Sequence, residues 1–455
     1  MNKQVECWLN EHRQELVETL RESLRIPSVE GAPEAGAPLG RHVRKALDHA
    51  LGVARSMGFE VKDLDGYAGC VDYGDGSQML GVMCHLDVVP EGVGWSHPPY
   101  GAVVEDGVIY GRGALDDKGP AFASLYALAA VKEANIPLKR RVRIILGCNE
   151  ESGWKCIDRY KQTEPEPDLA FSPDAEYPVV HSEKGICQAS FKRAYTSSIL
   201  VEAGTAANVV PGSATALVPL PVETVRFAAE RFTRESGFPC EVKGAQGGAK
   251  ITITGLAAHA SMPESGRNAL QAMLWLLSGL DLPAEDRNLA GLLHNALKMD
   301  MHGTSLSIDR EDESGRLTLN PAIIKWNESG IEELAFDIRF PISMDPADLL
   351  AALKRGLPFL ELSCHEVKEG HFIPAKSDLV AKLLDVYAIR TGQRLKPLAI
   401  GGGTYARAFK NAVAFGCEIP GKESPVHMPN ECISVEDLMF NAHIIADAIL
   451  ALAAE

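Results

Sequence analysis

The stretch QMLGVMCHLDVVP at residues 78–90 decides the fold of this 455-residue chain. It begins as an apolar run of strand length and ends in His85 and Asp87. Residues i and i+2 of an extended segment point to the same side, so the Asp87 carboxylate can hold one ring nitrogen of His85 while the other binds a cation. Taken alone, such a pair is more often an ordinary core or surface histidine beside a carboxylate. Its meaning depends on whether other segments repeat the pattern.

Four later segments place a carboxylate or an imidazole at or just beyond an apolar run. They are LDDKGP at 115–120, NEESGW at 149–154, FSPDAE at 171–176 and PVHMPN at 425–430. An α/β sheet presents its site at the carboxyl ends of its strands. Each residue by itself has an ordinary explanation as a surface carboxylate or a helix cap. Five such segments in one chain make that explanation improbable for the set.

Composition restricts the class of protein. The hydrophobic content of 46% and charged content of 23% are those of a soluble globular protein, and the length predicts two or three domains. The net charge of −16 argues against nucleic-acid and anionic-membrane partners. Ten cysteines without a CxxC pair indicate reduced thiols and a cytoplasmic location. The first residues are charged throughout, which is not typical of a signal peptide, and no membrane span is predicted.

The order of apolar patterns predicts an α/β fold interrupted by an insertion. Residues 1–184 and 372–455 are predicted to form one domain with a mostly parallel sheet, and 185–371 an inserted α+β domain with a single strong helix at 269–280. Several elements carry clear signals: one amphipathic helix near the N-terminus, helices at 40–59 and 119–135, strands at 78–84 and 142–148, a hairpin turning near Asp106–Gly107, and a final helix from Ser434.

The acidic and imidazole residues divide into two ligand sets. Two cations that share one carboxylate can polarise a carbonyl group and generate hydroxide near neutral pH. One set is His85, Asp174 and a share of Asp116; the other is His427, Glu151 and the remaining share of Asp116. Nitrogen and oxygen donors suit Zn²⁺, two per chain, although Mn²⁺ and Co²⁺ also accept such ligands. Glu150 is left without a cation, which is the condition of a general base.

The motifs together resemble one protein family. HLDVVP, GRGALDDKGP, NEESGW, SPDAEYP, GLAAHASMPESGRNA and GGGTYAR…PVHMPNE are similar to those of PepV-type dipeptidases. These dipeptidases are a branch of the dinuclear zinc exopeptidases and deacylases, with carnosinases, aminoacylases, carboxypeptidase G and succinyl-diaminopimelate desuccinylase. The resemblance runs over nearly the whole chain. It implies a zinc-exopeptidase catalytic domain with a large inserted lid, and hydrolysis of unblocked dipeptides by a bridging metal-bound hydroxide that a glutamate activates.

The resemblance also implies roles for particular residues. Asp116 matches the bridging ligand, joined to Asp117 by a cis peptide bond, and Asp87 matches the aspartate that orients the ligand histidine. His259 matches a histidine that stabilises the oxyanion. The residues that match substrate-binding positions are Asn208, Arg339, Gly401, Gly402, Gly403 and Thr404. A large lid that closes on the substrate and completes the pocket within one chain implies a monomer whose partner is a small peptide.

Two other functions stay open. The same site can cleave an N-acyl amino acid, which would make the chain a deacylase. A non-catalytic metal-binding protein is the alternative from another class, and loss of Glu150, Asp116 or a ligand histidine would favour it. None of these residues is lost.

Overall fold

A computed structural model of the chain describes residues 1–454, which form two compact units. The first unit contains residues 1–181, 373–398 and the chain from 403 onward, and the second contains 182–372 with 399–402. The boundaries predicted from the sequence, 184/185 and 371/372, differ from 181/182 and 372/373 by three residues or fewer. Residues 399–402 were predicted in the first domain but belong to the second unit. The catalytic role assigned to the first unit stays a prediction.

The first unit is built on a mixed sheet whose four central strands are parallel. Their order across the sheet is Arg140–Gly147, Gln78–His85, Leu169–Ser172 and Ala412–Ala414. Antiparallel strands flank them on both sides, so the predicted α/β class is confirmed and the parallel pairing is confined to the centre. The remaining strands of this unit are Glu60–Leu64, Ala68–Tyr73, Val103–Glu105, Val108–Tyr110, Ala175–Glu176, Cys417–Glu418 and Cys432–Ser434, and Val180–Glu183 and Leu398–Ile400 lie where the chain passes between units.

Helices pack against this sheet as the apolar periodicity predicted. The buried face of Arg41–Ser56 consists of Val43, Ala46, Leu47, Ala50, Leu51 and Ala54. Lys118–Glu133 is buried along nearly its whole length, which explains its uniformly apolar sequence. The predicted hairpin also forms, with its turn at Asp106–Gly107. The helices of the unit are Lys3–Glu11, Arg13–Leu24, Arg41–Ser56, Lys118–Glu133, Lys155–Thr163, Asp378–Thr391 and Val435–Ile449, with a short 3₁₀ turn at Tyr405–Ala408.

The N-terminal helix differs from the prediction because it is broken in two. His12 separates Lys3–Glu11 from Arg13–Leu24 and leaves the helical conformation, with φ −98° and ψ 12°. Its ring stacks on Trp8 at 3.8 Å and its Nδ1 bonds to the Trp8 carbonyl oxygen at 2.8 Å. These local contacts stabilise the break, while the apolar spacing continues across it.

The last helix is both long and strongly apolar. With the π-helical turn Leu450–Ala454, it is long and apolar enough to cross a membrane by length and composition alone. In the structure, 61% of its apolar 18-residue stretch is buried. Leu438, Ile445 and Ile449 belong to the same hydrophobic core as helix Lys118–Glu133. Its composition is therefore explained by packing inside the first unit.

The second unit is an antiparallel sheet with helices. The eight strands follow each other in the order Cys240–Ala245, Gly248–Thr254, Ser213–Val218, Leu200–Ala203, Thr318–Asn327, Gly330–Phe340, Gly185–Ala194 and Glu361–Lys368. The short strands are Glu311–Asp312, Gly315–Arg316 and His371–Phe372. The strong helix predicted at 269–280 is present as Ala269–Ser278. The unit has three further helices that were not predicted, Val222–Ser236, Ala284–Leu297 and Pro346–Gly356. Only Ala269–Ser278 is buried nearly throughout; the others expose one face, so their apolar signal is weaker.

We expect the last helix to be required for the stability of the first unit. Ile445→Ala, at a fully buried position, is predicted to lower the free energy of unfolding by about 2–5 kcal/mol through lost burial and a cavity. Ile389→Ala makes the same substitution on another helix of this unit at a position that is 63% exposed, and should change stability by no more than about 0.5 kcal/mol. Urea denaturation of both variants measures the difference. Equal effects would show that the last helix is not packed as described.

Candidate metal centre

The candidate ligands lie at one edge of the central sheet. His85 is the last residue of its strand. Glu150 and Glu151 follow the neighbouring parallel strand, and Asp174 lies two residues beyond the third. Because the carboxyl ends of adjacent parallel strands meet at the same edge, the fold brings these side chains together.

Asp116 lies between two histidines and offers one oxygen to each. Its Oδ1 is 2.9 Å from His85 Nε2, and its Oδ2 is 3.0 Å from His427 Nε2. Asp174 Oδ2 lies 3.5 Å from His85 Nε2, and Glu151 Oε1 lies 3.0 Å from His427 Nε2. The five residues thus form two groups of three that share Asp116, and within each group the ligand atoms lie within 4.8 Å of one another.

The polar atoms of the first group fit a cation better than they fit each other. His85 Nδ1 lies 2.9 Å from the main-chain carbonyl oxygen of Asp87, which accepts only from a protonated nitrogen. In the neutral ring, Nε2 therefore carries a lone pair and faces the carboxylates of Asp116 and Asp174. His85 Nε2 and Asp116 Oδ1 are both buried and neither has a hydrogen-bond partner. Unpaired lone pairs that converge in a buried place are the donor set of a metal ion.

Asp87 holds this arrangement in a different way from the one predicted. Its carboxylate was expected to bond to the ring of His85, but the closest approach of that carboxylate to Nδ1 is 3.6 Å, and the main-chain carbonyl takes the hydrogen bond instead. The carboxylate accepts from the backbone N–H groups of Glu150 and Glu151, at 3.1 Å each. Asp87 therefore orients the ligand histidine through its backbone and the two glutamates through its side chain.

Glu150 lies beside the two groups and belongs to neither. Burial raises the pKa of Glu150 well above its ordinary value; the nearby ring of His85 opposes this, and the carboxylates of Asp174, Glu151 and Asp87 raise it further. A raised pKa brings proton exchange of this carboxyl group closer to neutral pH. That is the property of a group that accepts a proton and returns it.

The charged residues of the two groups shift each other's pKa values. Burial raises the pKa of Glu151 and of Asp174. Burial also opposes ionisation of Asp116, but the rings of His427 and His85 outweigh it and hold the pKa of that carboxyl below its usual range. Hydrogen bonds to Asp116 and Glu151 raise the pKa of His427 to about 10. Burial lowers the pKa of His85, but hydrogen bonds to Asp116 and Asp174 outweigh it and hold that pKa well above its ordinary value. A cation at either group therefore competes with a proton on the imidazole, and its apparent affinity should rise with pH.

The turn that carries Asp116 is tied directly to the strand of His85. The peptide bond between Asp116 and Asp117 is cis, as the resemblance implied. Asp117 is fully buried, and its Oδ2 accepts from the backbone N–H of His85 at 2.9 Å. The bridging carboxylate and the first histidine are thus linked through the neighbouring aspartate.

Sequence reasoning gave no role to three buried charged residues around this turn. Lys118 is fully buried and donates from Nζ to the carbonyl oxygens of Ser23 and Ile26, at 3.0 and 2.8 Å. Glu431 and Arg112 form a buried ion pair of 2.6 Å. Glu431 ends the motif PVHMPNE, so its position near His427 was visible in the sequence, but its partners were not.

Five of the residues to which the resemblance gives a role lie in the second unit. They are Asn208, His259, Arg339, Gly401 and Gly402. Asn208 and His259 lie on paired segments, since the Asn208 carbonyl oxygen accepts from Ala260 N–H at 2.9 Å. His259 Nδ1 lies 2.7 Å from Ser261 Oγ. These contacts place the histidine and the asparagine side by side in this unit.

Arg339 is buried and makes a forked ion pair with Asp337, from Nε at 2.6 Å and from Nη2 at 3.1 Å. Its Nη1 donates to the Gly401 carbonyl oxygen at 2.9 Å. Three of the five guanidinium N–H groups have these partners. The arginine therefore connects the end of its strand to the glycine run.

The glycine run passes from the second unit to the first. A Cβ atom on Gly401 would lie 2.8 Å from Ser261 Cβ, so a larger residue there would force its neighbours to move. A Cβ atom on Gly402 would lie 3.9 Å from Ile400 Cδ1, which is an ordinary van der Waals contact. Gly403 and Thr404 belong to the first unit. Thr404 Oγ1 accepts from the backbone N–H of Ala406 at 3.1 Å and begins the short 3₁₀ turn.

Comparison with known proteins matches the chain to a family of peptidases. Residues 81–451 match peptidase family M20/M25/M40. The chain is 36% identical over 465 residues to the putative dipeptidase YtjP of Bacillus subtilis (strain 168), covering 100% of both sequences. It is 34% identical over 446 residues to the Beta-Ala-Xaa dipeptidase of Lactobacillus delbrueckii subsp. lactis, covering 95% of both.

Solved structures share the fold at low sequence identity. Human carnosine dipeptidase 1 matches with a TM-score of 0.59 at 16% identity, covering 98% of each chain. The dipeptidase Dug1p from Saccharomyces cerevisiae also matches with a TM-score of 0.59, at 13% identity and the same coverage. Both confirm the architecture.

The two ligand groups predict separable metal sites. His427→Ala removes a ligand of one group only, so the variant should keep one tightly bound ion and bind the second weakly. His85→Ala should keep the ion of the His427 group and bind the ion of its own group weakly. His97→Ala is the matched control, because His97 stacks on Tyr110 in the same unit, outside both groups, and should leave two ions per chain. Elemental analysis after dialysis gives the stoichiometry; two tightly bound ions in the His427 variant would contradict the grouping.

Proposed function

This chain belongs to peptidase family M20/M25/M40 and is a metal-dependent peptide hydrolase, and we propose that its substrates are unblocked dipeptides. The proposal is supported by two relatives named as dipeptidases, which this chain matches over at least 95% of their length and of its own. The observation that carries it is the pair of ligand groups joined by Asp116, with Glu150 next to them.

We propose that two Zn²⁺ ions are the cofactor. Imidazole nitrogen and carboxylate oxygen are donors that zinc accepts readily, and each group offers one imidazole and two carboxylates. His85, Asp174 and Asp116 would hold one ion, and His427, Glu151 and Asp116 the other. Bound cations of this kind act as Lewis acids that polarise the scissile carbonyl group. Mn²⁺ and Co²⁺ are the alternatives, and the reconstitution assay below compares the activity that each of the three ions supports.

Glu150 is the proposed general base. Its carboxylate accepts a proton from the water that attacks the carbonyl carbon, and returns that proton to the nitrogen as the C–N bond breaks. One group thus serves both steps, and the products are two amino acids. Asp87 contributes by holding the backbone of Glu150 with a hydrogen bond of 3.1 Å, so that the base keeps its place between the two transfers.

The resemblance supplies the remaining proposed roles. His259 would stabilise the oxyanion, and Arg339 would bind the terminal carboxylate of the substrate, with Asn208 beside it. Backbone N–H groups of the run Gly401, Gly402, Gly403 and Thr404 would hold the same carboxylate, as such runs can. A free α-amine and a free α-carboxylate are the two ends that define a dipeptide.

Assembly and location are proposed on other grounds. The large inserted segment supports a monomer, which light scattering behind size-exclusion chromatography tests. All ten cysteines are free thiols, a state typical of a reducing compartment, which supports a cytoplasmic enzyme.

The experiment that tests the function compares blocked and unblocked substrates. Metal-depleted protein is reconstituted separately with Zn²⁺, Mn²⁺ and Co²⁺ and assayed on dipeptides, on the same dipeptides with an acetylated amine, and on N-acetyl amino acids. We expect turnover of the unblocked dipeptides only. Preference for N-acetyl amino acids would make the chain a deacylase, and no turnover with any ion would contradict both assignments.

Glu150→Gln separates the base from the ligands. The substitution keeps the size of the side chain and removes proton transfer, so kcat should fall by about 10²–10⁴ or more. The variant should still bind two ions, since Glu150 is in neither group. Glu151→Gln is the neighbouring contrast and should lose affinity for the second ion. If elemental analysis found the losses reversed, the two glutamates would exchange roles.

His259→Ala tests the residue assigned from the second unit. Loss of one oxyanion donor should lower kcat by about 10²–10³ with a smaller change in KM. The ions should remain at two per chain. His365→Ala, an exposed histidine of the same unit, is the control and should behave as the unmodified enzyme. Equal losses in kcat and in apparent affinity for the substrate would indicate a binding role only.

A further inference from the structure

Glu431 is a completely buried carboxylate whose partners surround the bridging ligand. Its Oε2 accepts from Arg112 Nη1 at 2.6 Å. Its Oε1 accepts from the backbone N–H groups of Leu115 at 2.9 Å and Asp116 at 3.1 Å, and both oxygens lie 3.1 Å from Gly113 N. The carboxylate thus binds the main chain of the turn that ends in Asp116.

The same residue belongs to the segment that carries the second histidine. Glu431 follows His427 by four residues, and its carbonyl oxygen accepts from Gly111 N–H at 2.9 Å. The side chain and the backbone of one residue therefore hold the turn at Gly111 to Asp116 against the segment at 427–431. Asp116 and His427, whose ligand atoms lie 3.0 Å apart, are the functional ends of these two segments.

Arg112 extends the connection to the loop that follows Asp87. Its guanidinium lies 5.3 Å from the ring of Trp95, and Nη2 donates to the Glu91 carbonyl oxygen at 3.4 Å. Asn430, next to Glu431, accepts from Ser96 N–H at 2.8 Å. Three segments of the metal centre thus meet at one buried ion pair.

We propose that Glu431 is a positioning residue that sets the separation of Asp116 and His427 and thereby the affinity of the site for its second cation, with Arg112 as the opposite charge. This rests on the ligand set proposed above. An ion pair with Arg112 alone would use one oxygen. The other oxygen receives amides from the turn itself, so removal of the charge alters the ligand's backbone as well as the pair.

Glutamine cannot reproduce this set of bonds. A carboxylate presents two acceptor oxygens, one to the backbone N–H groups and one to the guanidinium, whereas a side-chain amide presents one acceptor oxygen and an NH2 group that only donates. In Glu431→Gln, a donor must face either Arg112 or the turn, and a buried N–H group loses its partner. Replacing a residue that hydrogen-bonds to a metal ligand without binding the metal itself typically lowers metal affinity by about 10- to 100-fold.

The test is calorimetric titration of metal-depleted protein with Zn²⁺. The unmodified chain should bind two ions. Glu431→Gln should bind one ion nearly as before and the second about 10- to 100-fold more weakly. Its kcat on a dipeptide should fall at limiting Zn²⁺ and recover when Zn²⁺ is raised. Recovery by metal is a readout that loss of folded protein would not give.

Asp286→Asn is the matched control from the second unit. Asp286 is also a buried carboxylate, and it accepts from Tyr195 Oη at 2.6 Å, Ser197 Oγ at 2.7 Å and Ser198 N at 3.0 Å. This variant should lose thermal stability and keep both ions at the affinity of the unmodified chain. Should Glu431→Gln fail to fold, Arg112→Gln keeps the three backbone bonds and should weaken the same ion by several-fold.

The possible outcomes are distinct. Unchanged affinity for both ions in the Glu431 and Arg112 variants would overturn the positioning role, whatever happens to their stability. Equal weakening in the Asp286 variant would overturn it too, because the effect would then follow from destabilisation alone. If the unmodified chain bound no second ion, the proposed ligand set would fail first, and that result is separate from any effect of Glu431.

Discussion

The concentration of buried carboxylates around two imidazoles is the constraint on which the rest of the first unit depends. Burial raises the pKa of Asp87, Glu150, Glu151 and Asp174, which means that the protein interior disfavours their charged forms. Cations offset this cost more fully than two histidines can. A bound cation would therefore favour the ionised forms of these carboxyl groups. The fold supplies the scaffold, with parallel strand ends for three segments and hydrogen-bonded turns for the other two.

A second level of organisation connects those segments to each other. Asp87 ties the strand of His85 to the Glu150–Glu151 turn, and Asp117 ties the same strand to the Asp116 turn. Glu431 performs the corresponding connection on the side of His427. Each of these three carboxylates accepts hydrogen bonds from main-chain N–H groups. The positions of the candidate ligands are therefore fixed through the backbone, which moves less than exposed side chains do.

Much of this arrangement could be predicted from the sequence because it follows from periodicity. Apolar runs that end in His85 or just before Glu150 indicate strands, and parallel strands bring their carboxyl ends together whatever lies between them. The role of the Asp87 carboxylate could not be predicted, because spacing i, i+2 does not tell whether the carbonyl or the side chain reaches the ring. The role of Glu431 was also invisible, since backbone amides leave no mark in a sequence. The helix Val222–Ser236 was missed because only Val225, Ala229 and Phe232 are buried on it.

The discontinuity of the first unit has a consequence for how the enzyme comes into being. The second unit is made almost entirely of one unbroken stretch, residues 182–372, whereas the first needs the chain after 403, including His427 and the core helix from Val435. During synthesis on the ribosome, the inserted unit has all its strands while the sheet around His85 still lacks its fourth central strand. A peptide chain cut short before His427 therefore lacks both that candidate ligand and the core helix that begins at Val435. The proposed metal centre can therefore be completed only when translation is nearly finished.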